Sequence, residues 1–175
     1  MTQKEEGRIR VAVLGNNIYI EATGYATQSI SLGLPDFLET MFHQGCTSVT
    51  FDLKGCLGMD STFLGVIASA AMSRHHGGER AVIVLNADDK LMRELRIIGL
   101  LPVVAVKEGK CEPPEGLELA QIDFVHMPGS ERERLLSVKR LHQELLKLNE
   151  ANKRRFAAFV EMLEEELRQN PKAET

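Results

Sequence analysis

Ile9, Val11 and Val13 alternate with Arg10 and Ala12. After Gly15-Asn16-Asn17, a second alternation sets Ile18, Ile20 and Ala22 against Tyr19, Glu21 and Thr23. Two period-two runs about a Gly/Asn turn predict a β-hairpin that ends at Gly24. Residues 27–44 change to a helical period, with a break near Gly33-Leu34-Pro35. Pro35 suits a first helical turn and Asp36 its positive end. Phe37, Leu38, Met41 and Phe42 then share one face, and Gly45 is a C-terminal stop. "SVTFDL" (48–53) predicts a strand. "RAVIVL" (80–85) is a continuous apolar run, as in a strand covered on both faces. "NADDKLMRELRIIGL" carries helix-start residues at Asn86 and Asp88, an apolar side of Leu91, Leu95 and Ile98, and a stop at Gly99. "VVAV" (103–106) predicts a last strand. With the helix described below, the order is β-β-α-β-α-β-α-β. That order implies an α/β fold whose mixed β-sheet is covered by helices, parallel where strands alternate with helices and antiparallel at the hairpin.

The pattern changes at Lys107. Residues 108–129 are rich in Gly and Pro and lack a clear period, so they read as a linker, with one more short strand expected at 119–125. Residues 130–170 follow without Gly or Pro. Ser130 with Glu133 fits a capping box, and Asn170-Pro171 fits a stop before a tail of residues 171–175. One helix of about 40 residues would be roughly 60 Å long, too long to lie back on a small domain. Leu141, Leu145, Leu148, Asn152, Phe156, Phe159, Leu163 and Leu167 form an apolar stripe that repeats every eleven residues, as Leu145, Phe156 and Leu167 show. Eleven residues per three turns favours a nearly straight or slightly right-handed pairing, with Asn152 as the polar residue that fixes register. The expectation is a long amphipathic C-terminal extension that forms a homodimer by coiled-coil pairing. The alternative is a helical hairpin broken near Asn149–Asn152 that packs on its own domain.

Between the strand at 48–53 and that at 80–85 lies a run that is apolar from Phe63 to Ala71 except for Gly65 and Ser69. Such a composition predicts a buried helix, and its small residues let it lie close to a neighbour. Asp60-Ser61-Thr62 stands at its start, where Asp60 or Ser61 can accept from free backbone N–H groups.

The chain has 175 residues, 43% hydrophobic and 26% charged, enough for one domain with a core plus an appendage. A net charge of −4, with 5% aromatic residues and no Trp, gives no basis for nucleic-acid binding. Cys46, Cys56 and Cys111 form no C-x-x-C pair, so reduced thiols and a cytoplasmic location are expected. The polar N-terminus has no signal-peptide core, and no apolar run approaches the roughly 18 residues of a membrane span, so no membrane insertion is expected.

Candidate chemistry narrows to the start of the buried helix. His75-His76 lacks a third ligand, so no metal is expected. "GCLGMDS" is not a phosphate loop, since no G-K-[ST] follows. Ser61 lacks a G-x-S-x-G setting and has no evident His partner, so no catalytic residue, cofactor or enzymatic activity is expected. Met59-Asp60-Ser61-Thr62-Phe63-Leu64-Gly65-Val66, placed between a strand and a small-residue helix, resembles the signature of the STAS domain (sulphate transporter and anti-sigma factor antagonist), which commonly reads D-S-S/T-G-L-G. The element order over residues 8–107 is similar too, and residues 1–107 are taken as that domain. The resemblance implies an anti-sigma factor antagonist that binds an anti-sigma factor with serine kinase activity. It places the phosphorylated serine at Ser61, with Thr62 as second choice, and the partner surface at Asp60, Ser61, Thr62, Phe63 and Leu64. Phe63 departs from the family, which has glycine there. The alternative function is a non-phosphorylated STAS assembly subunit of a transporter or a stressosome-like complex.

Overall fold

The computed structural model describes residues 6–74, 80–122, 124 and 129–170. His75, His76 and the tail 171–175 lie outside them, as do Asp123 and Val125 of the expected strand at 119–125. The chain orders as β1 (Arg8–Leu14), β2 (Asn17–Ala26), α1 (Gln28–Ser31), α2 (Leu34–His43), β3 (Ser48–Asp52), β4 (Cys56–Met59), α3 (Ser61–Arg74), β5 (Val82–Leu85), α4 (Asp89–Ile98), β6 (Ala105–Val106), β7 (Ala120–Gln121), α5 (Glu131–Leu148) and α6 (Glu150–Gln169).

β2 is the organising strand. β1 pairs antiparallel with it through the expected hairpin, Arg8 opposite Thr23 and Leu14 opposite Asn17. Its other edge is shared by two strands in succession. β3 runs parallel to residues Asn17–Glu21, and β4 runs parallel to Gly24–Ala26. Between them the chain jogs at Lys54-Gly55, where Gly55 takes φ 84°, a left-handed value that glycine adopts without strain. The described sheet has seven strands in the order β6-β5-β3-β2-β1-β7, with β4 on β2. β3, β5 and β6 are parallel, so the fold is the mixed α/β sheet that the pattern predicts. β4 was not expected. Its position matters because it carries the chain to the end of β2, where Asp60 N–H donates to the Ala26 carbonyl at 3.0 Å.

The expectation of a single helix over 130–170 is corrected. The capping box at Ser130 and Glu133 is present, and the helical region ends at Gln169. Yet Asn149 is extended, with φ −166° and ψ 167°, and is at once the C-cap of α5 and the N-cap of α6. Its side chain accepts from Asn152 N–H at 2.8 Å, which starts the new helix. The two helices run antiparallel: Arg132, near the start of α5, donates to the Leu167 and Asn170 carbonyls at the end of α6.

This hairpin packs on its own domain, so the expected dimer seam is an internal one. Leu141 and Leu145 are fully buried in the main core with Phe63 and Leu64, while Leu163 packs with Leu32 and Val138. Leu148 and Phe156 are partly buried against the main core, and Phe159 against the smaller cluster. Burial of each leucine is worth about 1.5–3 kcal/mol, against about 1 kcal/mol for a typical hydrogen bond, so the stripe is what holds the hairpin down. Asn152 is wholly buried, and its Nδ2 donates to the carbonyls of Ile98 and Leu145. Asn149 Nδ2 also donates to Ile98 O, so the apex of the hairpin is fastened to the C-terminal end of α4.

Candidate functional site

The stretch Asp60-Ser61-Thr62 sits where β4 ends and α3 begins. Asp60 Oδ1 accepts from Phe63 N–H at 2.9 Å and so caps α3. Its Oδ2 accepts from Gln28 N–H at 2.7 Å, at the first residue of α1. One carboxylate thus ties together the starts of two helices, where backbone N–H groups and helix dipoles favour negative charge.

The next residues divide sharply by depth. Thr62, Phe63 and Leu64 are buried, at 2%, 0% and 5% exposure, so of the five residues expected to form a surface only Asp60 and Ser61 are partly exposed. Phe63, the departure from the family pattern, turns inward. Its ring meets Phe51 edge-on at 6.1 Å. The same depth removes Thr62 from the surface as a second acceptor in this conformation.

Ser61 has a partner that sequence reasoning missed. Its Oγ lies 2.9 Å from Nε2 of His142 on α5. The protons follow from the surroundings. His142 Nδ1 is 2.8 Å from the Val138 carbonyl, which can only accept, so Nδ1 carries the hydrogen. Burial pushes the ring's pKa below its ordinary value, favouring the neutral form, although the Val138 carbonyl and the Asp60 charge pull the other way. Neutral with Nδ1 protonated, the imidazole accepts at Nε2, and the Ser61 hydroxyl donates to it. The ring is held in place by Phe156 and Phe159, edge-on at 5.6 and 4.7 Å. A signal was available in the spacing. His142 is four residues after Val138 and three before Leu145, on the face that packs inward.

α5 approaches this site as closely as backbone allows. A Cβ placed on Gly65 would come within 2.9 Å of both the Cβ and the carbonyl oxygen of Leu141. Only glycine permits that crossing. Further along α3, a cleft of about 580 Å³ opens between α2, α3 and α5, lined by residues such as Leu38, Phe42, Val66, Ser69 and Ser73.

A second polar cluster is structural. Asp52, 1% exposed, accepts from the Tyr19 hydroxyl at 2.6 Å, from Asn86 Nδ2 at 2.7 Å and from Lys54 N–H at 2.9 Å. Burial, then the hydrogen bond to Asp52, pushes the Tyr19 phenol well above its ordinary pKa. Asn86 also exchanges two hydrogen bonds with the backbone of Cys111, which pins the start of the linker to the sheet. Among the described residues, no helix is long and apolar enough to cross a membrane.

No protein-family model and no curated protein matches the chain. Among solved structures, it is similar to the Bacillus cell fate determinant SpoIIAA in the phosphorylated form, with a TM-score of 0.48 and 16% identity over 57% of this chain and 91% of that one. It is also similar to the anti-sigma factor antagonist SpoIIAA in its unphosphorylated form, with a TM-score of 0.49 and 17% identity over 57% of this chain and 88% of that one. Both are likenesses of fold.

Proposed function

We propose that the chain is a non-enzymatic regulatory module of the anti-sigma factor antagonist kind, which binds an anti-sigma factor with serine kinase activity and is switched by phosphorylation of Ser61. The observation that carries the reading is the placing of a serine hydroxyl on the first turn of a buried helix, directly after the capping Asp60. The motif from Met59 to Val66, whose resemblance to the STAS signature is given above, sits on that strand–helix junction.

The electrostatics suit a switch. A phosphate would add about −1.5 to −2 charges at a helix N-terminus, where dipole and N–H groups accommodate anions. The sheet would stay folded while the surface beside Asp60 became strongly negative. A partner that reads this surface would lose the hydroxyl and meet repulsion instead.

A specific observation favours a second reading, in which the chain is a non-phosphorylated assembly subunit. Ser61 already has an internal partner in His142, so its hydroxyl has a structural use. Mass spectrometry of chain purified from its native cells, with and without phosphatase, separates the two. Phosphate on Ser61 is the expected result. Its absence across growth and stress conditions, together with a stable co-purifying complex, would select the assembly reading.

A further inference from the structure

The hairpin α5–α6 lies on the face that the functional reading assigns to a partner. Three independent anchors hold it there. At the apex, Asn149 and Asn152 both donate to the Ile98 carbonyl, and Gly99 leaves room for Asn149, since a Cβ there would meet its Nδ2 at 2.5 Å. Midway, Leu141 crosses Gly65 and His142 accepts from Ser61. Beside the start of α2, Arg140 forms an ion pair with Asp36 at 3.2 Å.

These anchors are not equally committed. The apex holds a buried acceptor, Asn152 Oδ1, that has no hydrogen-bond partner among the described residues. Undocking would satisfy it with water, which offsets part of the cost of breaking the Asn152 hydrogen bonds to Ile98 and Leu145.

We propose that the α5–α6 hairpin is an intramolecular competitor for the face bearing Ser61, so that a docked hairpin and a phosphate on Ser61 exclude one another. The proposal rests on the reading of Ser61 as the modified residue. In the modification, an Oγ–P bond forms as the terminal phosphoryl of a nucleoside triphosphate, held by the partner kinase, breaks from its diphosphate, and the hydroxyl proton passes to a base of that kinase. The kinase must reach Oγ, and the docked α5 stands 2.9 Å from it. After transfer, Ser61 has no proton to donate. Phosphate oxygens then face an imidazole nitrogen that also accepts, across a gap too short to hold a phosphorus and its oxygens. Protonation of His142 would relieve the mismatch of acceptors, but the 2.9 Å contact would still leave no room for the phosphorus and its oxygens. Phosphate therefore favours the undocked hairpin, and a docked hairpin protects Ser61 from the kinase.

The test uses the full chain. Hydrogen exchange followed by mass spectrometry compares wild type, Ser61→Asp and Ser61→Ala. Asp at a first helical turn is well tolerated, so the fold should persist. Exchange over residues 138–163 is expected to accelerate at least about tenfold in Ser61→Asp, with β2, β3 and β5 unchanged, the size expected when one part-buried hydrogen bond gives way to facing acceptors. In parallel, phosphate on Ser61 is measured in native cells for wild type and for two loosened chains, Gly65→Ala and His142→Ala; occupancy is expected to rise in both. Unchanged hairpin exchange in Ser61→Asp would overturn the exclusion, whatever the phosphate level. Accelerated exchange with no phosphate in any chain would instead overturn Ser61 as a modified residue, and the proposal with it.

Discussion

Ser61 and His142 fix each other's protons, and this makes the pair sensitive to pH. In the unfolded chain the imidazole titrates near its ordinary 6.5; in the folded chain burial holds it lower. Above 6.5 both forms are neutral and the residue adds no pH dependence. As pH falls from 6.5 toward the folded value, the unfolded chain takes up a proton that the folded chain refuses, so stability declines across that interval. Asp60 is the charged group that opposes the shift, and it softens the decline without reversing it. The urea midpoint of the wild type should therefore drop between pH 7.5 and 5.5 by more than that of His142→Gln, which lacks the titrating ring. Equal slopes in the two chains would show that burial does not hold the ring's titration below its ordinary value.

At the scale of elements, Asn149 is the residue on which the C-terminal half turns. It supplies the N-cap of α6 and a donor to the end of α4. Asn149→Ala should cost about 1–2 kcal/mol of hairpin docking, the range of a lost N-cap. Limited trypsin digestion should then cut sooner at Lys147 and Lys153, which flank the junction, while sites in the sheet are unaffected. The same residue marks where reading the sequence stops short. β1 and β2 were legible because Ile9 and Val11, and then Ile18, Ile20 and Ala22, are buried at every second position, although Tyr19 is buried on the other face and Val13 is exposed. α4 was legible from Asp88, Leu91, Leu95, Ile98 and Gly99, which all agree. β4 was not, because Cys56-Leu57-Gly58-Met59 is four residues long, includes a glycine, and is a strand only because β2 offers it an edge. The break at Asn149 was legible only as the alternative reading near Asn149–Asn152, because it has neither Gly nor Pro and its neighbours continue a helical period. At the site, Asp60 was legible as a cap from local sequence alone. The spacing of His142 shows only that it faces inward; its contact with Ser61 spans 81 positions and exists only once the hairpin has folded back.

For the whole molecule, an apolar stripe states that a helix has a partner without stating which chain supplies it. The stripe from Leu141 to Leu163 satisfies an eleven-residue repeat, yet Leu141, Leu145, Asn152 and Leu163 are buried within one chain. The argument for pairing between two copies rested on the length of an unbroken helix, and the turn at Asn149 removes that length. A chain whose stripe is internally satisfied should run as a monomer. Light scattering on the wild type is expected to give the mass of one chain across micromolar concentrations. Gly65→Ala should behave differently, because its added Cβ presses on the backbone of Leu141 and lifts α5 from α3. That exposes Leu141 and Leu145 on one helix and the apolar face of α3 beneath them, so the variant should associate in a concentration-dependent way. A wild type that is itself a dimer, and that Leu141→Asp splits into folded monomers, would place the stripe between two chains after all. In that case the junction at Asn149 would be the place where two copies exchange α6.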